Sequence, residues 1–424
     1  MFERIRSMFR KESATGRAVY MASGKTANWS QRNNKAFAEE GYQKNVIAYQ
    51  AINKISNAIA AIPWTLFRGE TELDQHPMLA LLARPNPMQS GAEFMRAAVG
   101  FYMITGNAYL ERVMVGSQPR EIYTLRPDRM KVKPGEGGIP SAYVFQISNQ
   151  TPEIWECDRG TGLCDIRHIK SFNPLDDWYG MSPLMAGAYA VDQHNESMTW
   201  MQALLQNSAM PSGALEMSAE ATIGDDEFQR LKAEIDEQYS GAKNAGRPML
   251  LEGGLKWTQM GLSPDDMKVI ENKYSSARDV SLALGVPPLL LNIPGDSTFN
   301  NYQEARLAFY EETVIPLAHM IRDELNVWLA PLYGDNVRVE TDLDKVPAIA
   351  EKRRELWTMA NESDDLTINE RRELKGFGPI PGGDSVMVQS SLLPLDFSDG
   401  VELSGSDARD IKALAYGETP DKSE

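Results

Sequence analysis

The sequence predicts an α+β protein, mainly helical. Three observations predict it. Apolar residues recur in steps of three and four over long stretches before residue 107 and after residue 182. Between them, residues 107 to 172 fall into short alternating runs broken by Gly and Pro. Helix-start signatures also open several of the periodic stretches.

In chain order, residues 1–35 are polar with a basic excess and are expected to form a mobile arm. In "QKNVIAYQAINKISNAIAAIPWTLF", Ile52, Ile55, Ile59 and Ile62 sit at helical spacing, and Pro63 closes the helix. "QSGAEFMRAAVGFYMITGN" opens with Ser90 and Glu93 in a capping-box arrangement and stops at Gly106. "AYLERVMV", "REIYTL", "MKVKPG", "AYVFQIS" and "DIRHIKSF" read as strands of a small, mainly antiparallel sheet. Ser182 and Pro183 suit the N-cap and first position of a helix whose apolar face runs through Leu184, Ala188, Val191, Met198, Met201 and Leu205. "DDEFQRLKAEIDEQYSG" is a second helix, and "RPMLLEGGLKWTQM" reads as a hairpin-like excursion through Gly253-Gly254. Ser263, Pro264 and Asp266 start a third helix to about Leu284. A long helix follows, about 301 to 330, with Pro316 inside it as an expected kink. "VPAIAEKRRELWTMAN" and "TINERRELKGF" are helical, the latter with a Thr367/Glu370 capping box, and the tail from about Ser404 is polar, acidic and expected to be disordered.

The chain has 424 residues, enough for two to four domains. Hydrophobic residues make up 42% and charged residues 24%, a globular composition. A net charge of −16 argues against a tight, static nucleic-acid binder. Two cysteines suit a reducing compartment rather than a disulfide scaffold. The first twenty residues lack the apolar core of a signal peptide, and no stretch approaches the roughly 20 apolar residues of a membrane span. The expectation is a soluble protein made in the cytosol. The 21 methionines and 8 tryptophans suit an assembly interface or a large core.

Few motifs carry chemistry. "SGKTAN" at Ser23–Asn28 has the Gly-Lys-Thr of a phosphate loop, but Val19 stands where its first glycine belongs. Cys157, Cys164 and His168 could give three metal ligands, whereas structural zinc takes four. The cysteines flank the turn sequence "DRGTG", so two hairpin positions facing each other is the simpler reading. His76, His168, His194 and His319 form no metal-protease pattern, and "GMSPL" lacks the closing glycine of a nucleophile elbow. Neither an enzyme, a cofactor nor a metal site is expected.

One segment demands a partner. "ALGVPPLLLNIPGDSTFNNYQEA", Ala283 to Ala305, joins two helices, and between Gly285 and Gln303 its one charged residue is Asp296. Three successive leucines do not suit a surface loop, and a buried loop must satisfy its backbone polar groups. Something outside the monomer is expected to face it.

Taken together, "NVIAYQAINKISNAIAAIPWTLF", "HPMLALLARPNPMQSGAEFM", "GNAYLERV", "IRHIKSFNPLDDWYGMSPL", "LGVPPLLLN", "TFNNYQEARLAFYEETVIPLAHMIRDELN" and "LTINERRELKGFGPIPGGD" resemble the portal proteins of tailed double-stranded-DNA phages, in the Hong Kong ninety-seven type branch. The resemblance runs from about Val46 to Pro394. It implies a portal fold with an α/β wing, helical stem, short clip, tunnel loop and helical crown. It also implies a dodecameric ring at one capsid vertex, through which DNA enters and leaves. On this sequence it implies a wing at 36–215, stem helices at 216–241 and 263–284, and a clip at 242–262. A tunnel loop follows at 285–300, then a long kinked helix returning to the wing at 301–345 and a crown at 346–403.

The implied channel residues are Leu289, Leu290, Leu291, Asn292, Asp296, Ser297, Thr298, Phe299, Asn300 and Asn301. The implied docking residues on the clip are Lys243, Asn244, Arg247, Glu252, Lys256 and Trp257. The implied partners are further copies of the chain, passing double-stranded DNA, the terminase large subunit, head–tail adaptors, and the major capsid and scaffold proteins. The implied place is the virion portal vertex, assembled in the host cytoplasm, where the ring also nucleates the procapsid. A ring further predicts exposed apolar area on the subunit, chiefly on the stem and long helix. Two other classes compete: a metal-dependent hydrolase or nucleotidyl enzyme, and another virion component such as an adaptor or capsid-associated scaffold. The first needs converging carboxylates that no spacing provides; adaptors are usually much shorter chains.

Overall fold

The computed structural model describes residues 33–148, 150–158, 160–161, 163–206, 213–216, 229–230, 233, 256–259, 268–294, 299–363, 366–375 and 378–384. The "SGKTAN" stretch, the acidic tail and most of the predicted helix at 225–241 lie outside them. The chain divides into two units, Met1–Asp342 and Leu343–Glu424.

The larger unit opens with a π-helical stretch, Phe37–Gln43, and then helix α1, Val46–Ala60. Asn45 caps α1, its side-chain oxygen accepting from the Ile47 and Ala48 amides. The predicted isoleucine face is the buried one: Ile52, Ile55 and Ile59 are at most 1% exposed. β-branched residues cost some helix propensity, but burying each is worth roughly 1.5–3 kcal/mol, so packing decides. After Pro63 come strands β1 (Trp64–Arg68) and β2 (Thr71–Glu72), then α2 (Pro77–Ala83) and α3 (Gly91–Thr105). The Ser90/Glu93 capping box forms as predicted, α3 packs on α1, and Phe94, Ala98 and Val99 of α3 are buried. Gly106 ends α3 in the left-handed region at φ 74°.

The strand-rich block forms two antiparallel three-stranded sheets, not one. β3 (Asn107–Val115) lies between β4 (Gln118–Leu125) and β8 (Ile166–Lys170). β6 (Ala142–Phe145) lies between β5 (Met130–Lys133) and β7 (Glu153–Glu156). Tyr109, Met130, Val132, Tyr143, Cys157, Cys164 and Ile166 make one core cluster across both. β7 went unmarked in the sequence because "EIWE" is short and charged.

Ser182 caps as predicted, its hydroxyl oxygen accepting from the Leu184 amide at 3.1 Å. The helix it opens is short, α4 (Pro183–Ala186), and restarts after Gly187 as α5 (Ala188–Gln206). A Cβ at Gly187 would sit 3.0 Å from the Ala283 side chain, so the break lies at a close helix approach. The predicted face is buried through Val191, but Met198 is 42% exposed.

Strand β10 (Lys256–Gln259) pairs antiparallel with β9 (Gly213–Glu216), which the sequence did not mark. Distant pairing, not local pattern, makes "GALE" a strand. Helix α6 is Val269–Ala283; the predicted start at Ser263 lies outside the described residues. The long helix runs as α7 (Phe299–Phe309), a π-helical turn (Tyr310–Val314) and α8 (Ile315–Trp328). Pro316 therefore does not sit mid-α-helix. It follows a widened turn, which accommodates its missing N–H at the start of α8. β11 (Val337–Thr341) returns to pair with β1 from Trp64↔Thr341 to Arg68↔Val337.

The smaller unit contains α9 (Pro347–Glu362) and α10 (Ile368–Leu374). The predicted Thr367/Glu370 capping box opens α10.

Candidate functional site

The loop after α6 answers its own backbone. Gly285, at φ 69°, turns the chain, and its carbonyl accepts from the Thr313 hydroxyl at 2.6 Å. The Val286 amide donates to the Ser281 carbonyl at 3.0 Å, and the Ser281 hydroxyl donates to the Val286 carbonyl. Pro288–Leu291 form a 3₁₀ turn, closed by the Asn292 and Ile293 amides on Leu289 and Pro288 at 3.2 Å each. Asn292 takes the left-handed conformation at φ 56°, which asparagine tolerates. Arg278 donates to the Pro294 carbonyl at 2.7 Å, so a cation from α6 touches a loop that carries none of its own.

Its apolar residues behave differently from the expectation. Val286, Leu290 and Ile293 are buried within their own subunit, while Leu289 and Leu291 are half-buried. No neighbour is needed to explain Leu290. A cleft of about 430 Å³ opens beside it, lined by Lys54 and Asn57 of α1 and by Tyr302 and Arg306 of α7. Asp296, Ser297 and Thr298 lie outside the described residues; Phe299 and Asn300 begin α7, and Asn301 is exposed on it. Of the predicted docking residues, Lys243, Asn244, Arg247 and Glu252 lie outside the described residues. Lys256 and Trp257 are on β10, opposite Glu216 and Leu215.

Exposed apolar side chains occur where expected, with Ile270 60% and Leu282 78% exposed on α6 and Val327 57% on α8. Higher exposures among the described residues occur elsewhere, with Phe172 at 84% and Leu175 at 94% together in the loop "SFNPLDDWYGMS" after β8. This loop is heavily hydrogen-bonded. Asn173 accepts from the Leu175 amide at 3.1 Å and donates to the Tyr179 carbonyl at 2.9 Å. Asp176 accepts from the Trp178 and Tyr179 amides at 2.8 and 3.1 Å. The readable signal was apolar residues set among turn-forming Asn, Pro and Asp.

The loop is seated on the α3–β3 corner. Asn107 accepts from the Gly180 amide at 2.7 Å and donates to the Gly180 carbonyl at 3.2 Å. The Ser171 amide donates to the Gly106 carbonyl at 2.9 Å, and the Ser182 hydroxyl to the Ile104 carbonyl at 2.6 Å. His168 Nε2 lies 2.9 Å from Asn107 Oδ1, and its ring stacks on Tyr109 at 4.2 Å. Burial, then Lys170 and Arg167, push the His168 pKa down to about 3, so it stays neutral and donates this bond. Its Nε2 is thus engaged in the corner. Among the described residues no group of three or more His, Cys, Asp or Glu side chains could hold a metal ion. Nor is any helix there long and apolar enough to cross a membrane.

Known proteins resemble this chain in sequence and fold. Residues 47–376 match the family model described as phage portal protein. A Rickettsia felis protein is 38% identical over 348 residues, 81% of this chain and 90% of its own. The portal protein of Enterobacteria phage HK97 is 23% identical over 363 residues, covering 82% of each chain. A solved chain from the neck of an empty gene transfer agent particle is 41% identical, with a TM-score of 0.67. It covers 87% of this chain and 100% of its own. The chain belongs to the phage portal protein family, as a structural component rather than an enzyme.

Proposed function

We propose that copies of this chain close into a dodecameric ring at one vertex of a phage-like particle, and that double-stranded DNA passes through its hole. The observation that carries this reading is the match to the whole length of a chain from a gene transfer agent particle neck, at 41% identity. Neck structures of such particles were computed with sixfold and twelvefold symmetry. Subunit contacts around a ring are heterologous and need different surfaces on the two sides of each subunit. Stiffly held apolar residues such as Phe172 and Leu175 suit one of them.

In this reading residues 36–215 belong to the wing, 216–241 and 263–284 to the stem, 301–345 to the long kinked helix and its return to the wing, and 346–403 to the crown. Residues 242–262 form the clip that takes the terminase large subunit and then a head–tail adaptor. Capsid and scaffold proteins meet the ring as it nucleates the procapsid in the host cytoplasm. Residues 285–300 form the tunnel loop.

A moving duplex should not be gripped. Lysines or arginines on the wall would bind phosphates by counterion release, and the loop between Gly285 and Gln303 has neither. Its asparagines and hydroxyls offer weak, exchangeable phosphate contacts instead.

Electron microscopy of the purified chain tests the ring: annular particles with a central hole are expected, and monomers at every concentration would overturn it. Packaging assays test the loop. Asn300→Lys with Asn301→Lys should slow DNA translocation and steepen its salt dependence. Unchanged speed and yield would remove the loop from the channel wall.

A further inference from the structure

The chain's two cysteines, Cys157 and Cys164, are both free and 8% exposed. Cys157 follows β7 and Cys164 precedes β8. Between them the Asp158 amide donates to the Leu163 carbonyl at 2.9 Å, so these two positions face each other across a tight turn. The Asp158 carboxylate holds that turn, accepting from the Gly160 amide at 2.9 Å and the Thr161 hydroxyl at 2.8 Å.

One position further out on each side, Cys157 faces Cys164. In an antiparallel pair, positions flanking a hydrogen-bonded pair have Cα atoms about 4.5 Å apart and side chains on one face. A disulfide needs Cα atoms roughly 4.4–6.8 Å apart. Both side chains enter the cluster of Tyr109, Tyr143 and Ile166, and the Cys164 thiol donates to the Glu156 carbonyl at 3.8 Å.

We propose that Cys157 and Cys164 form a latent cross-link, which closes to an intrachain disulfide in the folded protein when a small-molecule disulfide is supplied. One protein thiolate attacks the small disulfide, forming a mixed disulfide and releasing one small thiol. The other protein thiolate attacks the protein sulfur of that mixed disulfide and releases the second. Two protein thiols are oxidised, one small disulfide is reduced to two thiols, and the two protein protons end on them. Where small thiols dominate, the pair stays open. Burial, and then Cys164, push the Cys157 pKa up to about 12, so closure at neutral pH is slow. The inference does not depend on the portal reading.

The test uses the full chain, incubated natively with excess oxidised glutathione, then alkylated in denaturant and digested with trypsin. Cleavage after Arg159 separates the cysteines into peptides 132–159 and 160–167. Mass spectrometry should find these joined, two hydrogens lighter than the free pair, and separated by reductant. The unfolding midpoint should rise by a few degrees and fall back on reduction. Cys157→Ser should abolish both effects. Two alkylated peptides, glutathione adducts alone, a covalent dimer on a non-reducing gel, or a link that forms only in denaturant would each overturn the proposal.

Discussion

Two loops of this chain carry apolar residues into irregular backbone, and they spend them in opposite directions. The loop at 284–294 buries Leu284, Val286, Leu290 and Ile293 in its own subunit. The loop at 171–182 turns Phe172 and Leu175 outward, at 84% and 94% exposure. Both are held by side chain–backbone hydrogen bonds, through Ser281, Thr313 and Arg278 in one and Asn107, Asn173 and Asp176 in the other. Rigidity is therefore shared, and only the direction of the apolar side chains differs. An outward, rigid apolar pair loses little conformational entropy when a second surface covers it.

The comparison breaks most sharply at the seat of the outward loop. A Cβ on Gly106 would lie 2.4 Å from the Met181 carbonyl carbon and oxygen and 2.7 Å from the Ser182 nitrogen, at a φ of 74°. Gly106→Ala should cost about 3–5 kcal/mol of stability in urea unfolding. A loss under 1 kcal/mol would mean the corner yields easily.

One substitution made in both loops sharpens the contrast. Leu290→Ala should destabilise the subunit by about 2–4 kcal/mol, because Leu290 is 6% exposed. Leu175→Ala, at 94% exposure, should change stability by less than about 0.5 kcal/mol yet weaken ring formation in sedimentation velocity. Equal effects on stability would erase the distinction.

The smallest effect is reached through pH. The folded His168 stays neutral to about pH 3, and an unfolded histidine takes its proton near 6.5. Below pH 6.5 the unfolded state therefore binds more protons, and stability falls as pH falls. The loss by pH 5 attributable to His168 should be about 1–2 kcal/mol. Unfolding midpoints of wild type and His168→Gln between pH 7 and 5 measure it. Parallel slopes would show that His168 does not titrate this way.

Local signals were legible at several helix starts and along one buried face. The Ser90 and Thr367 capping boxes, the Ser182 cap and the isoleucine face of α1 all form as the spacing predicts. Elements defined by distant pairing were not legible. "WTLF" and "VRVET" become strands because of what lies across from them, and β11 is 275 residues from its partner at Thr65↔Glu340. The predicted kink at Pro316 became a π-helical turn, since hydrogen bonding around a proline can widen instead of bend. At the candidate loop the composition raised the right question. The burial of Leu290 against α1 was not visible, because that contact joins segments far apart in sequence.

The pairing of β1 with β11 also sets a clock for biosynthesis. β1 leaves the ribosome with only the two-residue β2 beside it, and its other edge stays open until residue 341 has been made. At roughly 5–20 residues per second that wait is on the order of tens of seconds. During it the nascent chain displays an apolar strand edge that could template pairing with another chain. Copies translated side by side on one message are thus exposed to mispairing before any subunit is finished. Among the described strands, the last to be made is the one that removes the hazard.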